Sequence, residues 1–210
     1  MLEIQDHYFH LAKKDGYVAR SAYKLQEIDE KFKLFWRGVH SVIDIGCAPG
    51  SWLQYTSRKL LKNNNPDSIL LWFDLKQVDI NLPYTSTFVQ DITEQDEVKK
   101  IIQDSLWINM ENNSPKDLQV IDVIISDMAP DTVGNKGTDA LRACYLVMET
   151  MRIYETLLKK DGKFAIKVFM WPWFDDLVQY CRNRRWASSI KIFKPKACRK
   201  ESKETYIVKI

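Results

Sequence analysis

The segment "VIDIGCAPGSW", Val42–Trp52, decides the fold. Val42, Ile43 and Ile45 are β-branched and enclose a single acid, Asp44, which predicts a short buried strand over Ser41–Ile45. The strand runs straight into Gly46-Cys-Ala-Pro-Gly50, and Trp52 opens a helix predicted over Trp52–Leu61. Gly46 and Gly50 can take backbone angles closed to other residues and let a ligand approach the main chain. The N-terminus of the following helix carries partial positive charge. Taken alone, a Gly-x-x-x-Gly turn fits a plain strand-to-helix connection better than a ligand loop.

Working outward, the pattern keeps alternating. Helices are expected over Ser21–Phe32, Glu94–Ile108, about Thr138–Lys159 (stopped by the turn "KKDG") and Phe174–Arg184. Strands are expected over Ile69–Asp74, near Thr87–Gln90, and over Val120–Ser126, Lys163–Phe169, Ser189–Phe193 and Thr205–Ile210. Alternating strands and helices predict an α/β fold, a Rossmann-like, mainly parallel sheet with helices on both faces. The last two strands leave no room for a helix between them and should pair antiparallel at one side of the sheet. "KNNNPDS" and "NMENNSPKD" read as surface loops. No repeat or linker divides the chain, so one domain is expected over 1–210, with residues 1–40 as an N-terminal helical segment.

The composition is that of an ordinary globular chain: 210 residues, 45% hydrophobic and 28% charged. No run approaches the roughly 18 apolar residues of a membrane span. The N-terminus lacks the apolar stretch of a signal peptide, and the cytoplasm is the expected compartment, or an organelle if a targeting segment has been removed. Cys47, Cys144, Cys181 and Cys198 show no C-x-x-C spacing, so neither a metal site nor a redox motif is expected. A net charge of +3 is too small to define a partner. Its distribution says more, because "CRNRRW" and "KIFKPKACRKESK" concentrate cations near the C-terminus.

In doubly wound sheets ligands bind beyond the carboxyl ends of the strands. The second strand ends "LLWFD" at Asp74, where an acid commonly accepts hydrogen bonds from a ribose diol. The third ends "FVQD" at Asp91, placed to hold an adenine amino group. A glycine turn followed by two acids at strand ends points to a nucleoside-bearing cofactor. The dinucleotide fingerprint G-x-G-x-x-G is missing, Asp44 precedes the loop, and Pro49 removes a backbone donor. That pattern suits a cofactor without phosphate and with a cationic centre, and S-adenosylmethionine fits.

"DHYFHLAKKDGYVARSAYKLQEID", "DIGCAPGSWLQ", "SDMAP", "LKKDGKFAIKVF" and "SKETYIV" together resemble the FtsJ/RrmJ group of RNA ribose 2'-O-methyltransferases, from about Asp6 to Val208. The resemblance implies a seven-stranded sheet ordered 3-2-1-4-5-7-6. It also implies methyl transfer from S-adenosylmethionine to a ribose 2'-hydroxyl, in the best-matched branch on a uridine of large-subunit ribosomal RNA. It carries a catalytic tetrad onto Lys24, Asp127, Lys167 and Glu204, and cofactor contacts onto Gly46, Gly50, Trp52, Asp74, Asp91 and Asp127. Three departures stand out. Gly50-Ser51 replaces a glycine pair, the glycine usual before Asp91 is missing, and "MWPWF" replaces a polar, Gly-containing turn. Trp171 and Trp173 in that turn fit stacking on RNA bases or packing against the next helix equally well.

The chemistry asks for such residues. Displacement at a sulfonium methyl needs two reactants held in line and help in removing a hydroxyl proton. Lys167, in an otherwise apolar strand, is costly there unless paired. Lys24, one turn after Arg20, is expected to share a helix face with it. Lys13, Lys14, Arg20, Arg142, Lys194, Lys196 and Arg199 are the candidate phosphate contacts. With few cations, a preassembled ribosomal particle is the expected substrate and a monomer the expected state. The competing readings are a transfer RNA or messenger-cap methyltransferase and a non-catalytic RNA-binding assembly factor; a nicotinamide dehydrogenase is disfavoured by the missing fingerprint.

Overall fold

The computed structural model describes residues 2–63, 67–83, 85–106, 119–130, 133–184 and 189–210. In chain order the elements are α1 (Leu2–Lys14), α2 (Ala22–Phe32), β1 (Ser41–Ile45), α3 (Ser51–Asn63), β2 (Ile69–Asp74), β3 (Thr85–Val89) and α4 (Gln95–Ser105). They continue with β4 (Ile121–Ser126), α5 (Lys136–Leu157), β5 (Leu158–Phe169), α6 (Phe174–Arg182), β6 (Ile190–Phe193) and β7 (Glu204–Lys209). The strands form one sheet in the order β3-β2-β1-β4-β5-β7-β6. β1 to β5 run parallel, whereas β7 is antiparallel to both β5 and β6, as the short last connection requires. Among the described residues, no helix is long and apolar enough to cross a membrane.

Both faces of the sheet are covered, because neighbouring side chains on a strand point to opposite sides. Ile43, Ile45, Leu71, Phe73, Phe164 and Ile166 pack on the face that carries α4, α5 and α6. Val42, Leu70, Trp72, Val123, Ala165 and Tyr206 pack on the face that carries α2 and α3. The site lies on the second face, so what fixes α2 fixes the site.

Asp29 does much of that fixing. Its carboxylate accepts from Phe35 N at 3.0 Å and Tyr55 Oη at 2.8 Å, and pairs with Lys59 at 2.7 Å. These contacts lock α2 against α3. At the entry end of the strands, Asp122 accepts from His40 N at 2.8 Å and Ser41 N at 3.0 Å and pairs with Lys159 at 2.7 Å.

Two expectations need correction. The "KKDG" segment is not a turn that ends α5; it lies inside β5, and the β4–β5 register jumps there, from Ile121↔Leu158 to Val123↔Lys163. The extra residues bulge, so local turn chemistry is absorbed without leaving the sheet. Arg20 is not on the helix that carries Lys24, because α2 begins at Ala22 and Arg20 sits in the turn that leads into it. Ends of other elements shift by one to three residues. The expected extension of α4 to Ile108 falls partly outside the described residues, as do the whole of "NMENNSPKD" and part of "CRNRRW".

Candidate active site

β4 and β5 are parallel and β7 runs against them, so the ends of β4 and β5 and the start of β7 lie at one edge of the sheet. Asp127 is the first residue past β4, Lys167 lies near the end of β5, and Glu204 opens β7. Register places Lys167 directly opposite Tyr206, and Phe169 opposite Glu204. Glu204 and Tyr206 are two apart on one strand and therefore share a face.

Their side chains form a continuous polar chain. Lys167 Nζ is 3.3 Å from Asp127 Oδ1 and also donates to the Asp127 backbone carbonyl. Tyr206 Oη lies 2.9 Å from Asp127 Oδ1 and 2.6 Å from Glu204 Oε1, so its single proton is shared between two carboxylates. Lys24 reaches in from α2, and its Nζ is 2.6 Å from Glu204 Oε1. Side-chain exposures of 13% for Lys24 and 11% for Lys167 keep both side chains largely out of water. The sequence names four of the five residues. It misses Tyr206, although period-two alternation from Glu204 was the signal that could have found it.

The electrostatics follow from this arrangement. Burial alone would lower the Lys24 pKa, but the Asp127 and Glu204 carboxylates overcome it and raise it above the ordinary value. Burial would raise Glu204, and Lys24 overcomes that and lowers it. Burial together with the Asp127 and Glu204 charges lifts the Tyr206 phenol well above its usual value, so it stays a proton donor. Cys198 Sγ is 3.6 Å from Glu204 Oε1; burial and that carboxylate push its thiol up to about 12. Glu27, also on α2, accepts from Lys196 N at 2.6 Å and Ala197 N at 2.9 Å, which draws the loop before β7 over the pair.

The adjoining edge holds the glycine loop. Gly46 (φ +70°) is demanded by packing, since a Cβ there would lie 2.4 Å from Met128 Cβ. Gly50 (φ +103°) is likewise pressed by Ile80, 2.3 Å from where its Cβ would stand. Trp52 is turned inward at 2% exposure, donates from its indole to Ser21 O at 2.8 Å and packs on Tyr206 with ring centres 5.8 Å apart. Its ring is therefore scaffold behind the tetrad. Asp74 accepts from Ala48 N at 2.8 Å and Lys76 N at 2.9 Å, which ties the loop to β2. Asp91 accepts from Thr93 N at 2.9 Å and Thr93 Oγ1 at 2.8 Å.

Asp44 is the unpaired carboxyl of this edge. It is 0% exposed, and among the described residues neither carboxylate oxygen has a hydrogen-bond partner. Burial, with the Asp127 and Asp74 charges, pushes its pKa well above the carboxylate range. A buried unpaired carboxyl is unfavourable, and a cation beside it would resolve the conflict. The loop thus fits a cationic ligand.

The candidate phosphate contacts divide. Lys13, Lys14, Arg142, Lys196 and Arg199 are exposed, and Arg20 is half-buried. Lys194 is spent internally, donating to Ser202 O at 2.6 Å, so its amine belongs to the loop and not to a ligand surface.

A doubly wound sheet ordered 3-2-1-4-5-7-6, a glycine loop with acids at the ends of β1 and β2, and a buried Lys/Asp/Lys/Glu cluster define a methyltransferase-type α/β enzyme. The model of the FtsJ-like methyltransferase family matches residues 17–210. The chain is 40% identical over 209 residues to the ribosomal RNA large subunit methyltransferase E of Nitratidesulfovibrio vulgaris, covering 99% of this chain and 93% of that one. It is 37% identical over 207 residues to the protein of the same name from Pelagibacter ubique, covering 97% and 90%. A crystal structure described as a ribosomal RNA methyltransferase from Plasmodium falciparum superposes with a TM-score of 0.74 at 26% identity, covering 92% of this chain and 97% of that one. The chain belongs to the FtsJ-like methyltransferase family.

Proposed function

We propose that this enzyme transfers a methyl group from S-adenosylmethionine to a ribose 2'-hydroxyl of large-subunit ribosomal RNA, acting as a monomer in the cytoplasm on a preassembled particle. The observation that carries the reading is the Lys167–Asp127–Tyr206–Glu204–Lys24 chain set beside the orphaned Asp44. The donor supplies an electrophilic methyl on a cationic sulfur. Asp44 would offset the donor's positive charge, Asp74 would take the ribose diol, and Asp91 would take the adenine edge. Both Asp74 oxygens already accept one backbone hydrogen each and retain acceptor capacity.

The rest is the work of the tetrad. Lys167 contacts the acceptor 2'-oxygen and takes up its proton, so it has to arrive neutral. Asp127 orients that amine. Lys24, Glu204 and Tyr206 hold Asp127 in place and hold its charge in a fixed polar setting, which needs no reorganisation during the reaction. Relatives named for large-subunit ribosomal RNA support that substrate over transfer RNA or a messenger cap.

The test is label transfer from S-adenosylmethionine to isolated large ribosomal particles and, in parallel, to total transfer RNA. Label in the particle RNA, resistant to alkaline cleavage at one nucleotide, is the expected result. Label only in transfer RNA overturns the substrate, and donor binding without any label overturns the enzyme reading.

A further inference from the structure

Trp173 plays no part in the chemistry above, yet the fold holds it in an unusual state. Its backbone lies at φ +79° and ψ 0°, a left-handed conformation that glycine takes freely and tryptophan rarely adopts. The residue is 53% exposed. Trp171, two residues earlier, behaves differently and stacks on Phe169 with centres 4.6 Å apart and planes 16° from parallel. Among the described residues, the Trp173 indole has no ring partner and makes no hydrogen bond. The two tryptophans have thus taken the two alternative roles, one packing and one facing out.

Its position connects it to the site. β5 ends at Phe169, opposite Glu204, and Met170 N donates to Lys203 O at 2.8 Å. Trp173 follows four residues after Phe169, so its backbone lies no more than about 14 Å from the Glu204 row. A shallow depression there is lined by Pro172, Trp173, Phe174, Met128, Lys167 and Ala143 of α5. An exposed aromatic face beside an apolar depression that also touches the tetrad lysine matches a single RNA strand. Such a strand offers π-faces for stacking.

We infer that Trp173 is a stacking platform for a nucleobase of the acceptor RNA strand, at or beside the modified nucleotide. The inference rests on the RNA-methylation reading above. Stacking of this kind acts equally in the ground and transition states, so it appears in KM and not in kcat. The platform is a feature of this chain's own sequence, placed where the backbone would favour glycine.

The test compares Trp173→Gly and Trp173→Phe with the unaltered enzyme, using large ribosomal particles from cells that lack their own methylation at the target. Trp173→Gly should raise KM for particles about 5- to 150-fold, the loss of one stacked base. It should leave kcat and the KM for S-adenosylmethionine near normal, and leave the thermal midpoint unchanged or higher. Trp173→Phe should recover most of the lost affinity. Ultraviolet crosslinking of the particle complex should place a nucleotide adduct on the peptide that contains Trp173. An unchanged particle KM in Trp173→Gly overturns the platform while leaving the methyltransferase reading intact, and a crosslink to ribosomal protein alone overturns RNA as the occupant. If the unaltered enzyme labels no RNA, the reading beneath the inference fails first, and the platform falls with it.

Discussion

Lys24 and Glu204 come from opposite ends of the chain and meet at 2.6 Å, joining α2 to the first residue of β7. The pair serves two purposes, since it anchors the helix before the sheet and orders the carboxylate that Tyr206 shares with Asp127. Its contribution to stability depends on pH at both extremes. Glu204 is lowered from its ordinary 4.5, so its share is present above that value and is lost as pH falls through the folded pKa. Lys24 is raised from its ordinary 10.5, so its share is present below that value and is lost as pH rises through the folded pKa. Urea denaturation of the enzyme and of Glu204→Gln, repeated from pH 3 to pH 9, should show the largest stability gap near neutrality. The gap should close as pH drops below about 4.5. A gap that does not vary with pH would mean the pair contributes nothing to folding.

Tyr206→Phe removes only the hydroxyl between the two carboxylates. The ring and its packing on Trp52 stay, so the loss is that of a hydrogen bond to charged groups, about 1.5–3 kcal/mol. The thermal midpoint should drop by about 2–4 °C for each of those kcal/mol. Turnover should fall while the KM for S-adenosylmethionine holds, because Asp127 loses the partner that orients it towards Lys167. Unchanged turnover would assign Tyr206 to packing alone.

The sheet was readable wherever strand ends are marked by chemistry. β1 and β2 match their expected bounds, because glycine or an acid closes each. β5 was misread at its start, since "KKDG" has every local sign of a turn and only the neighbouring β4 ladder draws it into the sheet. Lys24, Asp127, Lys167 and Glu204 entered through resemblance to a family, and no spacing rule brings residues so distant in the chain together. Tyr206 stayed hidden because a tyrosine in "TYIV" reads as strand core, and only the register with Lys167 gives its hydroxyl a role. Trp52 likewise entered as a cofactor contact through the resemblance, and only the packing of α2 and Tyr206 around it shows its ring to be buried.

Asp44→Asn tests the ligand edge. The raised pKa of Asp44 means that the folded state resists its ionisation, a penalty that grows as pH rises above the ordinary carboxylate value. The asparagine variant should therefore be the more stable protein at neutral pH without donor, and its thermal midpoint should rise. Affinity for S-adenosylmethionine should fall by about 30-fold or more, the loss expected when one member of a buried charge pair is truncated. Calorimetry should show weaker binding of S-adenosylmethionine than of its uncharged-sulfur product relative to the unaltered enzyme. Equal loss for both would indicate that Asp44 serves the amino group common to the two and not the sulfonium.

Lys167 separates proton removal from mere orientation. Arginine at this position keeps the positive charge and can still point at an oxygen, but it stays protonated at any usable pH and cannot accept a proton. Lys167→Ala should lower the single-turnover rate by about 10²–10⁴-fold, the usual worth of a positioned base, with donor affinity near normal. Lys167→Arg should be about as impaired if the amine is the base, and largely active if its task is to hold the 2'-oxygen in line. The pH dependence gives an independent reading: with lysine as the base, the rate rises with pH as the neutral amine becomes available. In the arginine variant that rise should vanish. An active arginine variant with a flat profile would assign the proton to solvent and leave Lys167 as the group that aims the hydroxyl.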